Sequence, residues 1–489
     1  MRSGRLAALL SAVFLSGCAT TGGLHPFATP TDPARLQTER SFSGIKLDAA
    51  AWPRRGWWRA VGDRQLDELV AEALADNPDM TLVQARVNAA LATVGSANAA
   101  RLPELSGGGS MSGARLPPML PPLASGHFGF LRYGYLSFKW NPDLWGGERA
   151  AWEAAVGEAR ATEVDAEAAR LRLSADVAQA YFNLGAAYVL RDLARDELQR
   201  ATDFLGLTRK RVASGIENKL TLAQIESEAA SDQGRLKAAN NHVRASGLVL
   251  AVLLGKGPDR ALSIRRPELP AIPTLALPSD LPANLLGRRP DVVAARWRVE
   301  AAEKNIVAAK TKFLPNVNIS ALAGVIAPTA TTLLSLPSRF YEVAPAFSLP
   351  IFEGGALRAN LAGKDAARDV AVAQYNQTLV RAVNQVATQV DDLRSLSLQL
   401  TDDETARAGA AHAYSLAMAR YRAGIGNFLE ALTERQELIA AEQRLAATRI
   451  GRVEAWVRLN EALGGGFRAD AAVPSLAAVH PLSESRVNQ

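Results

Sequence analysis

The sequence predicts a mainly α protein with a membrane β part, built from two copies of one unit. Three observations predict it: an internal repeat, two long proline-free runs, and stretches of period-two alternation ahead of each run. The segment Arg211-Val212-Ala213-Ser214-Gly215-Ile216-Glu217-Asn218-Lys219-Leu220 recurs, roughly 210 residues later, as Arg420-Tyr421-Arg422-Ala423-Gly424-Ile425-Gly426-Asn427-Phe428-Leu429. Leu254-Gly255, Pro78-Asp79, Leu102-Pro103 and Gly146-Gly147 recur at similar offsets, as Leu463-Gly464, Pro290-Asp291, Leu314-Pro315 and Gly354-Gly355. A unit this long is no solenoid repeat, so the chain is read as one unit used twice.

The first seventeen residues read as a targeting segment. Arg2 and Arg5 precede an apolar run, Leu6 to Phe14, that is too short to span a membrane as a helix. It ends at Leu15-Ser16-Gly17-Cys18, and Cys18 is the only cysteine in the chain. This arrangement resembles a bacterial lipoprotein signal, which implies cleavage of residues 1–17 and lipidation of Cys18. An ordinary secretory signal with an incidental cysteine is the alternative. Ala19, standing where an aspartate would retain the protein inside, directs it to the outer membrane. A single thiol excludes an intrachain disulfide framework and any multi-cysteine metal site.

Residues 18–60 form an N-terminal extended segment, followed by repeat 1 at 61–257. A short helical stretch runs from Gln65 to Ala100, interrupted only by Pro78. Residues 107–109 fall in a strand region, and the strand from Phe128 to Trp140 alternates imperfectly because Lys139 falls in phase with Tyr133 and Tyr135. No proline occurs between Pro142 and Pro258; alanine, leucine, glutamate and arginine fill the run, and one Ser214-Gly215 break divides it. The run reads as a hairpin of two long helices, the first about 60 residues and about 90 Å long. A proline-rich linker covers 258–290.

Repeat 2, at 291–466, follows the same order. Val292 to Lys312 is helical, and Val317 to Leu322 alternates. Along Tyr341 to Leu349, Tyr341, Val343, Phe347 and Leu349 form one face and Glu342, Ala344, Ala346 and Ser348 the other, as expected for a membrane barrel strand. The second proline-free run, after Pro350, breaks at Gly424-Ile425-Gly426 and ends at Gly464-Gly465-Gly466, a helix C-cap. In its last helix Leu432, Ile439, Ala446 and Val453 step by seven, as do Leu438 and Leu445, and Leu429 leads by sevens to Ile450 and Val457. Several apolar heptad stripes predict neighbours on more than one side. Residues 467–489 form a C-terminal tail. Each unit thus supplies two strands, and four strands per chain cannot close a barrel, so membrane strands force oligomerisation.

Composition excludes other classes. Net charge is +6, charged residues make up 21%, and no basic stripe is interleaved with aromatics, so no nucleic-acid partner is expected. The five histidines are far apart, and no phosphate loop or dinucleotide fingerprint occurs. No catalytic residue, cofactor or metal is expected, and the chain does not read as an enzyme.

In this order the residues resemble the TolC/OprM-like outer membrane factors, in the lipoprotein branch found in drug-efflux systems (NodT-type outer membrane efflux lipoproteins). Trp57-Trp58, Leu66 to Val70 and Ala73 to Asp79 match an opening motif; Leu281 to Asp291, ending Arg288-Arg289-Pro290-Asp291, a mid-chain signature; Arg420 to Gly424, Leu429 to Leu432 and Ala462 to Gly466 the last hairpin. The resemblance implies a homotrimer. Its twelve strands form one outer-membrane β-barrel and its long helices a periplasmic α-helical barrel. The implied partners are outer-membrane lipid, a periplasmic adaptor (membrane fusion) protein and an inner-membrane RND-type transporter. The implied function is the passive exit duct of a tripartite efflux pump for drugs or other small toxic compounds. An exit duct for type I protein secretion is the nearest alternative, and a lipid-anchored periplasmic coiled-coil scaffold is the alternative of another class. The resemblance also implies a periplasmic gate at Tyr421, Glu430 and Thr433, and adaptor contacts at Ser214, Gly215, Ala423 and Gly424. In the first copy Thr221 occupies the carboxylate position, which leaves open whether a tyrosine–carboxylate link joins the two turns.

Overall fold

A computed structural model describes residues 21–36, 40–43, 52–115, 128–272, 277–278, 281, 285–327 and 329–469. Cys18 with the leader, the proline-rich stretch 116–122, and residues 470–489 of the tail lie outside them. The described residues contain eight α-helices: α1 (Arg64–Asp76), α2 (Pro78–Ala99), α3 (Gly147–Ala213), α4 (Lys219–Leu253), α5 (Leu285–Arg288), α6 (Pro290–Thr311), α7 (Ala356–Arg422) and α8 (Phe428–Ala462). Four strands accompany them: β1 (Glu104–Arg115), β2 (Phe128–Trp140), β3 (Asn316–Ala327) and β4 (Arg339–Ser348). The order helix, hairpin, long helix, turn, long helix occurs twice. The copies match closely: α3 and α7 are each 67 residues long, and α4 and α8 are each 35. The expected first helix splits at Asn77, because Pro78 disfavours helical backbone in the residue before it and opens the next helix instead. No helix among the described residues is long and apolar enough to cross a membrane.

The chain divides into two compact units. One comprises the described parts of Met1–Pro30, Arg86–Glu163 and Ala294–Asn376, and the other those of Thr31–Ala85, Val164–Val293 and Gln377–Gln489.

In the first unit the strands form one antiparallel sheet in the order β1-β2-β3-β4, which leaves β1 and β4 as open edges. Directly opposed residues share a face. Leu136 opposes Ala323, which opposes Tyr341, while Tyr135 opposes Gly324, which opposes Phe340. One face therefore carries Leu105, Met111, Leu136, Tyr341, Val343 and Phe347, all exposed. The other carries Ser106, Ser110, Ser137, Lys139, Ser320 and Glu342. Tyr133 and Tyr135 lie on this second face with Lys139, while Arg132 falls on the first, so β2 alternates less cleanly than β4. The two tyrosines are accommodated on the second face because Tyr133 stacks on Phe340 at 5.4 Å and the Tyr135 ring covers Gly108. A Cβ on Gly108 would come within 2.7 Å of that ring, so the glycine is what lets a tyrosine lie flat on a face of small residues.

The extended segment at the start of the same unit runs along α7. Asp369 accepts from the amides of Phe27 and Ala28 at 3.3 and 2.9 Å, Arg368 donates to the Ala28 carbonyl, and Asn376 donates to that of Thr29.

In the second unit a core of Trp57, Leu66, Leu69, Val70, Tyr181 and Leu254 ties α1 to α3 and α4. The glycine ending each helical hairpin meets the start of a short helix. A Cβ on Gly255 would lie 2.7 Å from the Asp76 carbonyl, and one on Gly464 would lie 1.9 Å from that of Arg288. The signature Arg288-Arg289-Pro290-Asp291 belongs to this knot. Arg289 forks onto Asp291 at 3.0 and 2.6 Å and donates to the Ala462 carbonyl at 2.9 Å, satisfying the last turn of α8.

Candidate functional site

The two helical turns fold alike for local reasons. Gly215 and Gly424 take φ of +72° and +79°, a conformation that costs a side-chain-bearing residue about 1 kcal/mol or more. Each turn then closes as a helix C-cap: Ile216 donates to the Arg211 carbonyl at 2.9 Å, and Ile425 to that of Arg420 at 3.1 Å. The next helix starts on an asparagine. Asn218 accepts from the Thr221 amide at 2.9 Å, and Asn427 from the Glu430 amide at 2.7 Å. Ser214, Gly215, Ala423 and Gly424 are all exposed. So are four apolar side chains in matched positions, Ile216, Leu220, Ile425 and Leu429. The sequence pattern had placed Leu429 on a heptad stripe with Ile450 and Val457; at 68% exposure it belongs to the turn instead.

Between the turns lies a small cluster around Tyr421, which has no exposed surface. Phe204 meets its ring edge-on at 5.2 Å, the Arg211 guanidinium lies 4.5 Å above it, and Arg211 also donates to the Tyr421 carbonyl at 3.0 Å. The Tyr421 hydroxyl donates to Glu217 of the first turn at 3.3 Å. A tyrosine–carboxylate link across the turns therefore exists, which the sequence left open. The acid is Glu217 rather than a residue at position 221, and Thr221 supports it by donating to the same carboxylate at 3.1 Å. Burial pushes the Tyr421 hydroxyl above the usual phenol range, so it stays a donor at neutral pH.

Glu430 is half-buried in the first turn of α8, with its carboxylate 3.7 Å from Arg420. Thr433 is exposed one turn further on. The structure thus separates the three expected gate residues: Tyr421 faces inward between the turns, while Glu430 and Thr433 lie on the surface of α8.

Deeper in this unit is a charged cluster that the sequence reading missed. Arg435 is fully buried; it pairs with the equally buried Asp232, with Glu228 at 3.1 Å, and with the Glu197 carbonyl at 3.2 Å. Glu442, two turns along α8, pairs with Arg200 at 2.7 Å and Arg407 at 3.6 Å. Along the first half of α8, Ala431, Arg435, Leu438, Glu442 and Leu445 fall on one buried stripe, so an arginine and a glutamate share it with alanine and two leucines. The only sequence signal was their four-and-three spacing in phase with Leu438 and Leu445. Glu197 is 2% exposed; burial, then the nearby Asp232, raises its carboxyl above the ordinary range. Among the described residues no group of histidine, cysteine and carboxylates is arranged to hold a metal.

An open-edged sheet with an apolar face, on a chain of duplicated long helical hairpins, defines a membrane channel subunit. The chain belongs to the outer membrane efflux protein family, whose model matches residues 69–256 and 281–465. It is 36% identical over 367 residues to the fusaric acid resistance protein FusA of Burkholderia cepacia, covering 74% of this chain and 69% of that one. It is 29% identical over 469 residues to the pyoverdine export outer membrane protein OpmQ of Pseudomonas aeruginosa, covering 93% and 97%. Among solved structures it is similar to the outer membrane protein VceC of Vibrio cholerae, with TM-score 0.80, 32% identity, and coverage of 85% of this chain and all of that one. The outer-membrane channel OprN is similar too, with TM-score 0.83, 26% identity, and coverage of 91% and 99%. The chain is accordingly an outer-membrane efflux channel protein.

Proposed function

We propose that this chain is a lipid-anchored subunit of a trimeric exit duct for small toxic organic compounds, with no catalysis of its own. The observation that carries the duct reading is the sheet: an exposed apolar face, a polar opposite face and two open edges. An open edge in lipid leaves backbone groups unpaired at several kcal/mol each, so β4 of one copy pairs with β1 of the next until the ring closes. Three copies give twelve strands. The relatives are named for fusaric acid resistance and for pyoverdine export, which supports a small-molecule duct. Selection among compounds rests with an RND-type inner-membrane transporter, joined through a periplasmic adaptor. Ser214, Gly215, Ala423 and Gly424, with Ile216 and Ile425 beside them, form the adaptor-contacting surface, because they are exposed and repeat in both turns. Glu430 and Thr433 line the constriction, and Tyr421 acts behind them by holding the second turn to the first. Cys18 carries the lipid.

The deciding experiment has two arms. Purified protein should conduct as a trimer in planar bilayers, and a deletion strain should become hypersensitive to small organic toxicants. Trimers that do not conduct would leave a periplasmic scaffold as the better reading. Loss of a secreted polypeptide without altered susceptibility would favour a protein-secretion duct.

A further inference from the structure

Beside the signature arginines, in the second unit, lies a cavity of about 410 Å³. That is within the size range of small-ligand sites. Four arginines reach it from four separate segments: Arg172 from α3, Arg289 from the signature, Arg381 from α7 and Arg458 from α8. Only Asp291 and Glu461 oppose them in the lining. Asp291 is already engaged by the Arg289 fork. Burial, then the neighbouring Asp176, pushes the Glu461 carboxyl up, which weakens its opposing charge.

The other three guanidiniums are not consumed by the fold. Arg172 comes no closer than 3.9 Å to Asp176, and Arg458 no closer than 3.8 Å to Glu454. Arg381 is exposed and forms no ion pair or hydrogen bond with any described residue. Gln389 adds a buried side-chain oxygen that no described donor satisfies. Like charges converging on one cavity repel unless a counter-charge sits among them, and guanidinium forks match the planar oxygen pairs of carboxylate and phosphate.

We propose that this cavity binds a small polyanion, a di- or tricarboxylate or a phosphate. Arg381 and Arg458 supply the charge, and Arg289 forms the fixed wall. The ligand needs a hydroxyl or a protonated oxygen facing Gln389, since that amide oxygen can only accept.

Isothermal titration calorimetry on the full-length assembly in non-ionic detergent, at low ionic strength, tests this with citrate in one arm and inorganic phosphate in the other. Saturable binding of one ligand per chain is expected, weakened by added salt and weakened about tenfold or more in Arg381→Gln/Arg458→Gln. Citrate binding alone identifies a carboxylate ligand, and phosphate binding alone a phosphate one. Arg172→Gln should shift affinity in the same direction and guards against an assembly defect in the double variant, checked by size-exclusion chromatography. No saturable heat with either probe overturns the proposal, including the case where an acidic side chain of a second copy fills the cavity. So does an affinity unchanged in the double variant.

Discussion

Tyr421, in the second helical turn, donates its hydroxyl to Glu217 in the first, so one side chain of each repeat holds the two turns together. The bond is 3.3 Å long and part-buried, which makes it worth about 1 kcal/mol. Tyr421→Phe keeps the ring against Phe204 and removes this link together with the 3.4 Å contact between the hydroxyl and Thr208, which lies in the first repeat as well. The expected result is an intact assembly with a larger resting conductance in planar bilayers. Glu217→Gln should show the same change, and the double variant no more than either alone. Additive effects would separate the two residues.

Glu430→Ala tests the constriction. Folding should be unaffected, because the helix start rests on the Asn427 side chain and the Glu430 amide, which survives the substitution. Cation selectivity of single channels should fall. Arg420, 3.7 Å from the carboxylate, already offsets part of its charge, so Arg420→Gln should raise selectivity in the opposite direction. Selectivity unchanged in both variants would remove Glu430 from the bore.

Arg435→Met should destabilise the assembly by about 1 to 3 kcal/mol, since it takes the buried guanidinium from Asp232 and leaves it only the half-exposed Arg235, at 2.6 Å. Arg435→Met/Asp232→Leu should recover much of that loss. Guanidinium unfolding followed by circular dichroism measures both, and a double variant no better than the single would mean that the pair is not what Arg435 stabilises.

Glu197 gives a pH dependence. Its carboxyl is raised in the folded state above the ordinary value of 4.5, so the folded chain holds the proton more tightly than the unfolded chain. Stability from this group is present below pH 4.5 and is lost as pH climbs through the raised value. Glu197→Gln should therefore be less sensitive than the parent to rising pH above that point, measured as the thermal midpoint across a pH series. Parallel curves would show that Glu197 ionises normally.

Much of this was legible in the sequence because it rests on local rules. Glycine at positive φ marked both turns, and proline marked where the helices could not be. Period two marked β4, where nearly every apolar residue faces one way. What stayed hidden shares a cause. Tyr133 and Tyr135 sit on the polar face because Gly108 and Phe340, distant in sequence, make room for them. Glu217 was passed over because it lies in the turn itself, whereas the expected acid lay inside the following helix. Arg435 and Glu442 look like surface charges until their spacing is set against the buried leucines. The strap from Phe27 to Thr29 has no periodicity; it is held by Arg368, Asp369 and Asn376, whose partners no local pattern predicts.

The open edges of β1 and β4 also bear on inheritance. A subunit whose edge cannot pair would spoil every ring it joined, whatever the quality of its companions. In a cell making equal amounts of sound and edge-damaged chains, only about one ring in eight would be wholly sound. Lesions in these two strands should therefore behave as dominant, while lesions that prevent a chain from folding at all should behave as recessive.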